Sequence, residues 1–264
     1  MKKISTLVGA ASLLLASGGS SALTIGGITW DPSYGLDFAS FSQAIYQNLN
    51  SSTGVSSGYG IITTMNGSST FAAPGLQLTY QYSGFTPFTG GTLPSVNGSV
   101  IGYSGGIVDF YVRSQTYPGT GVNPADPLSL SASNTGPGTL WLSLKGHEVN
   151  GVSFTGTAVT ITSGSPPVSV FAGLSGIGQF DVVGGPTQTY FDSNTKIDGA
   201  DFGFSSSFTS FVPNTNPPTN LTIQNAYGTA NLTGSTIVPV PEPYSLALIG
   251  LGLLGFGLMR RKVA

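Results

Sequence analysis

Oxygen-bearing side chains recur at short intervals between positions 192 and 201 of the chain. Hard cations such as Ca²⁺ take oxygen ligands, but Lys196 stands where a further acid would be needed. Gly203 occupies the twelfth position of the run, where a calcium-binding loop carries a bidentate glutamate. A turn in which Asx side chains bond to their own backbone explains the run more simply, so no metal site is predicted. The candidate calcium ligands are Asp192, Asn194, Asp198 and Asp201.

His147 is the only histidine, and the chain has no cysteine. A Ser-His-Asp triad would have to use His147, and a zinc site built from histidine and cysteine is excluded by the counts. Because His147 stands beside Glu148 just after a predicted strand, we interpret it as an exposed turn residue. Glycoside hydrolysis needs two carboxyl groups at a defined separation, which the sequence does not specify. We predict no catalytic residues, no cofactor and no enzymatic activity; the carboxylates considered are Asp181, Asp192, Asp198 and Asp201.

Aromatic residues could stack on sugars, since the chain has two tryptophans and eleven tyrosines. Such rings combine a large apolar face with a polar group. Trp141 lies in an alternating segment, which predicts that it faces a core. Trp30 precedes Asp31-Pro32 and is the candidate sugar-stacking residue.

The N-terminus has the three parts of a secretory signal peptide. Met1-Lys2-Lys3 is positively charged, an apolar run covers 4–16, and Ser20-Ser21-Ala22 places small residues at the cleavage site. The apolar run is too short for a membrane anchor of ~20 residues. We expect export through the Sec translocon and cleavage after Ala22.

The C-terminus combines a Pro-Glu-Pro motif, an apolar segment and a basic end. The motif is Pro241-Glu242-Pro243, and the apolar run extends from Leu246 to Met259. At 1.5 Å per residue a helix over this run reaches about 21 Å, short of the ~30 Å hydrocarbon core. Tyr244 extends the segment at one interface, and the cations at the other stay cytoplasmic by the positive-inside rule. These cations are Arg260, Arg261 and Lys262.

This tail resembles the PEP-CTERM signal of exosortase substrates in Gram-negative bacteria. The resemblance implies that a membrane-embedded exosortase recognises the tail and cleaves near the motif, so that the C-terminal transmembrane helix anchors the protein only transiently. The alternative is an ordinary C-terminal anchor behind a proline-rich hinge.

Several internal segments resemble the flocculation-associated subset of PEP-CTERM proteins, which is linked to exopolysaccharide and floc formation. No catalytic residue carries over from that resemblance. The segments are Gly26–Pro32, Val182–Pro186, Tyr190–Thr195, Gly199–Phe202 and Ser205–Thr209.

The composition argues against a nucleic-acid partner. Charged residues make up only 7% of the chain. Between Leu23 and Val240 three cations stand against nine acidic residues, a formal charge of −6, whereas phosphate neutralisation needs clustered Lys or Arg. The absence of cysteine means that core packing and sheet hydrogen bonds must hold the fold.

Short alternating segments separated by turn residues predict an all-β fold. Leu76–Tyr82 alternates with period two, and breakers such as Asn150-Gly151 recur every 8–15 residues or so. We predict an antiparallel β-sandwich or jelly roll over 23–238, between a signal peptide (1–22) and a sorting segment (239–264). Apolar residues near 3.6 spacing predict one helix from Leu36 to Leu49.

Together these features predict an exported, non-enzymatic protein of the cell surface or extracellular matrix. We expect it to associate with exopolysaccharide in a biofilm or floc after exosortase processing. The alternatives are a carbohydrate-binding module that recognises a specific sugar and, third, a glycoside hydrolase.

Overall fold

The computed structural model describes most of the chain between Ala22 and Ile237. The predictions for the signal peptide before Ala22 and for the Pro-Glu-Pro tail fall outside the described residues, as does the tail's predicted helix. No helix among the described residues is long and apolar enough to span a membrane. The described ranges are 22–50, 52–88, 96–114, 122, 129–136, 138–163, 168–210 and 223–237.

Twelve strands and a few short helices form the described structure. A two-stranded hairpin precedes a large antiparallel sheet. The helices are α1 (Ala132–Thr135) and α2 (Gln188–Phe191), and a 3₁₀ turn lies at Ile197–Gly199. The strands are β1 (Leu23–Ile25), β2 (Ile28–Trp30), β3 (Leu36–Asn50), β4 (Ser56–Ile61), β5 (Thr64–Met65), β6 (Leu76–Pro87), β7 (Val100–Ser114), β8 (Thr139–Gly146), β9 (Phe154–Ser163), β10 (Val168–Gly184), β11 (Phe202–Ser210) and β12 (Ile223–Gly234).

The sheet closes into an eight-stranded barrel, so the predicted sandwich or jelly roll is wrong. The strands follow one another around the barrel in chain order, and the last strand, β12, pairs with the first, β3. Two of the eight strand positions around the barrel are each occupied by two strands. β4 and β5 both pair with β3, and β8 and β9 both pair with β7 and β10. Alternation in sequence is the same for a sandwich and a barrel, since both bury one face of each strand.

The predicted helix at Leu36–Leu49 is also wrong, because this segment is strand β3. An irregularity opposite Thr229 separates the pairs Ser40–Ala230 and Ile45–Gly228. Before this irregularity the even-numbered residues of β3 face the barrel interior, and after it the odd-numbered residues do. This change of phase turns two period-two patterns into spacing that imitates a helix. The buried residues that follow this pattern are Leu36, Phe38 and Ser40 before the irregularity and Ile45, Gln47 and Leu49 after it; the small residues Ala39 and Ala44, in the opposite phase, are buried as well.

Aromatic side chains fill one end of the barrel, which we call the plugged end. The hairpin β1–β2 folds over this end through a turn at Gly26-Gly27, where both φ angles are positive and favour glycine. The Trp141 indole N–H donates to the carbonyl oxygen of Ile25 at 2.9 Å and ties the hairpin to β8. The packed rings belong to Trp30, Phe38, Trp141, Phe191 and Phe202.

The barrel interior is packed with side chains and leaves a cavity of only about 50 Å³. A buried water needs roughly 10–15 Å³ of such space, so the interior has room for a few waters. Gln47 reaches from β3 to β10, where its Oε1 accepts the backbone N–H of Leu174 at 2.9 Å. This N–H lies next to the irregularity at Phe171/Gly173. A ligand-holding interior of the kind that some eight-stranded barrels have is therefore absent from the described structure.

Three tyrosines pack together on the outer face of β3, β4 and β12. The rings of Tyr46 and Tyr59 are stacked with centroids 4.6 Å apart, and Tyr227 meets Tyr46 edge-on at 5.2 Å. Burial, with a smaller contribution from Tyr46, raises the pKa of Tyr59 to about 12 from 10.0. Burial also raises the pKa of Tyr46.

These pKa shifts predict a loss of stability at alkaline pH. The unfolded chain ionises Tyr59 near pH 10, whereas the folded chain holds the proton to about pH 12. The free energy of unfolding should therefore be unaffected by this group below about pH 10 and should fall between about pH 10 and 12. Denaturant unfolding across this range checks it, and Tyr59→Phe should show a shallower decline. An equal decline in both proteins would contradict the assignment.

Candidate functional site

A groove of about 580 Å³ lies on the outer face of the barrel, across β10, β11 and β12. On β10, Ile177 is 67% exposed and lies on the face opposite the one that carries the buried Phe180. The groove therefore lies outside the barrel. Its apolar lining includes Val149, Val152 and Ile177, and its polar lining comprises His147, Ser153, Thr155, Gln179, Asp198, Ser205, Asn231 and Thr233.

One wall of the groove is a short excursion of the chain, His147–Ser153, between β8 and β9. Val149 and Val152 exchange both backbone hydrogen bonds across Asn150-Gly151, and both central residues have positive φ. An Asn-Gly pair is the preferred sequence for such a two-residue turn. Glu148 anchors the wall to the barrel, because its Oε1 accepts the backbone N–H of Gly105 at 2.8 Å.

His147 pairs with Asp181, a contact that sequence reasoning missed. The imidazole Nδ1 lies 2.7 Å from the Asp181 carboxylate, and the backbone N–H of His147 donates to the carbonyl oxygen of Gln179. The His147 side chain is 18% exposed, so it is not the freely exposed turn residue we predicted. No sequence motif could have revealed the pair, since the two residues are 34 positions apart and only the pairing of β8 with β10 brings them together.

The pair lacks the third member of a triad in the described part of the chain, where no serine hydroxyl is hydrogen-bonded to His147. The nearby Ser153 hydroxyl donates instead to the backbone carbonyls of Tyr103 and Gly105. What the groove offers is an imidazole oriented by a carboxylate, amide and hydroxyl groups, and exposed apolar side chains.

The candidate calcium ligands serve different purposes. Asp201 is 2% exposed, and its carboxylate accepts the backbone N–H groups of Val182, Ser193 and Asn194 at 2.6–2.7 Å. Asp192 accepts the Asn194 side-chain amide, and Asp198 lines the groove. Within the described ranges no three His, Asp or Glu side chains are placed to hold a metal ion. The segment is thus a hydrogen-bonded turn anchored by Asp201.

Trp30 is buried, which corrects its candidacy for sugar stacking. Its ring is 3% exposed and packs against Trp141, Tyr190 and Phe191. Its indole N–H donates to the Thr236 hydroxyl at 3.2 Å. Trp141, at 1% exposure, lies in the core, as its alternating segment predicted.

Most of the segments that resemble flocculation-associated proteins meet at the plugged end. Trp30, Phe191 and Phe202 come from three of them and share one ring cluster. Asp201 joins a fourth through the backbone N–H of Val182. These segments build the framework of the barrel end.

The tail supplies the decisive comparison with known proteins. A family model of the PEP-CTERM protein-sorting motif matches residues 239–262. The chain carries a PEP-CTERM sorting signal. It is therefore an exported protein that is anchored transiently at the membrane and processed by an exosortase. The prediction made from the Pro-Glu-Pro motif and the basic end is confirmed. No curated protein and no solved structure matches the chain.

Removing the Asp201 carboxylate should destabilise this PEP-CTERM protein far more than removing its neighbour. Asp201→Ala leaves three backbone N–H groups without their acceptor, and we expect a loss of about 2–4 kcal/mol in the free energy of unfolding. The exposed Asp192→Ala is the matched control and should change it by less than about 0.5 kcal/mol. Urea unfolding of both variants measures the difference. Equal losses would show that Asp201 does not anchor the turn.

Proposed function

We propose that this protein is a non-enzymatic component of the cell surface or extracellular matrix that associates with exopolysaccharide in a biofilm or floc. It reaches that place through Sec export and exosortase processing of its PEP-CTERM tail. The barrel acts as a rigid unit whose outer face contacts the polymer.

The observation that carries the proposal is the contrast between the two faces of the barrel wall. The interior is filled, with a cavity of about 50 Å³, whereas the outer groove measures about 580 Å³ and is lined by hydroxyl, amide and apolar side chains. Outward positions on β9 and β11 carry hydroxyls as well. Thr155 and Ser205 line the groove, and Thr157 and Ser207, two positions further along the same strands, are exposed. Uncharged hydrogen-bonding groups suit a polyhydroxylated polymer, and this surface remains accessible however tightly the core is packed.

The groove also supports the alternative of a carbohydrate-binding module with a defined sugar site. The two functions differ in whether binding saturates. A structural protein is held by many weak contacts, whereas a module binds one segment of the polymer at one place.

Removing the protein should weaken the matrix. A deletion strain should form less floc or biofilm, and the intact gene should restore it, whereas a gene truncated before Pro241 should not if sorting is required. The amount of matrix-bound protein is measured by fractionation and intact mass, with a mature form ending near Pro241 expected. Unchanged matrix and no protein in the matrix fraction would contradict the proposal, and release of reducing ends from the polymer would overturn its non-enzymatic part.

A further inference from the structure

Two residues that line the outer groove each carry a side-chain oxygen with no hydrogen-bond partner within the described structure. The side-chain oxygens of Gln179 and Asn231 are both buried and unpaired in the described structure. Gln179 alternates with the buried Phe180, and Asn231 lies between the buried Ala230 and Leu232, so both side chains belong to the outer face. Native proteins rarely leave buried polar atoms unsatisfied, because each costs about 1–3 kcal/mol.

Both unpaired atoms are acceptors, so the group that completes them must donate hydrogen bonds. An amide oxygen accepts and does not donate. The imidazole of His147 adds a further polar group, since its Nδ1 is held by Asp181 and its Nε2 remains available for a ligand. A ligand with several hydroxyl groups meets these needs at once.

The remaining lining restricts the charge and shape of the ligand. Ile177 and Val149 are 67% and 38% exposed and present apolar surface next to the polar groups. The C–H face of a sugar ring is apolar while its rim is hydroxylated, so it matches this alternation. Asp198 lines the groove and Asp181 stands behind His147, which disfavours an anionic ligand.

We propose that this groove binds a neutral segment of polysaccharide, with Gln179, Asn231 and His147 accepting or exchanging hydrogen bonds with its hydroxyl groups. The proposal deepens the proposed function and rests on it, because it names the place on the barrel where the polymer binds.

Isosteric removal of the two acceptors tests this. Gln179→Met and Asn231→Leu should leave the free energy of unfolding unchanged or raise it, because each replaces an unpaired buried amide by an apolar group. Each should raise the Kd for the strain's purified exopolysaccharide by about tenfold, the effect of about 1.4 kcal/mol of lost binding free energy. The matched controls are Thr139→Ala and Thr189→Ala, which change exposed hydroxyls that do not line the groove and should bind normally.

The outcomes separate the groove from the wider function. If both acceptor variants retain saturable binding, the groove is not the binding site, although the proposed role in the matrix is unaffected. If the protein still fractionates with the matrix but shows no saturable binding, the groove is again not the binding site. Waters alone would then occupy the two acceptors. Absence of the wild-type protein from the matrix would instead overturn the proposed function itself. Asn231→Asp, which keeps an acceptor, should bind better than Asn231→Leu, whatever the folding yield of the latter.

A separate observation concerns the orientation of the barrel during sorting. The backbone N–H of Ile237 donates to the carbonyl oxygen of Tyr190 at 2.7 Å, and Thr236 accepts the Trp30 indole. The last described residues are thus bound to the plugged end, the same end that holds β1, which begins at Leu23. Both processed ends of the chain leave the barrel at this end.

The chain between Ile237 and the tail is short. Pro241 is four positions beyond Ile237, a reach of at most about 14 Å, and the apolar run at Leu246 is nine positions beyond it, a reach of about 32 Å. We infer that the plugged end faces the membrane while the tail is anchored, and that the opposite end, where β7 begins, faces away.

Single-cysteine labelling tests the orientation, because the chain has no native cysteine. Tyr34 lies beside β2 at the plugged end and Val100 begins β7 at the opposite end, with matched exposures of 66% and 67%. In spheroplasts of cells without exosortase, which retain the tail, a bulky impermeant maleimide should modify Val100→Cys several-fold faster than Tyr34→Cys. In the released protein the two rates should be similar. Equal rates while the tail is anchored, or faster labelling at Tyr34→Cys, would overturn the inference.

Discussion

The pairing of the last strand with the first is the interaction on which the barrel depends. β12 and β3 pair over six residues before the irregularity at Thr229 and five after it. Without this pairing, β12 and β3 would each expose a row of unpaired backbone groups, and exposed edges invite association with other chains. Closure removes both edges and needs neither a disulfide nor a metal. This suits an exported chain without cysteine, whose stability must come from core packing and backbone hydrogen bonds.

Closure also gives the inner and outer faces of the barrel sheet different roles. Inward residues fill the barrel, so they contribute stability and leave no ligand space. Outward residues are freed from packing, and the interruption between β8 and β9 raises the His147–Ser153 wall above the sheet. The groove exists because one strand position is shared by two strands, and the connection between them must leave the sheet and return to it.

Much of the strand content could be predicted from local pattern, because alternation reports directly which face of a strand is buried. Leu76–Tyr82 and Leu140–Leu144 are strands, as expected. β3 could not be recognised, since its irregularity shifts the phase of burial and imitates a helix. The groove was equally hidden: His147, Gln179 and Asn231 come from distant parts of the chain and meet only through strand register. Trp30 was misjudged because nothing local shows that Thr236 and Phe191 fold back over it.

Export and exosortase processing of the protein were determined by sequence alone, because sorting signals act as short linear segments read by membrane enzymes. Pro241-Glu242-Pro243, the apolar run and the basic end need no folded context to be recognised. Barrel closure, the filled interior, the Asp201 anchor and the His147–Asp181 pair were decided only by tertiary structure. Each depends on which strands pair and in what register, a property of long-range contacts that no local pattern contains.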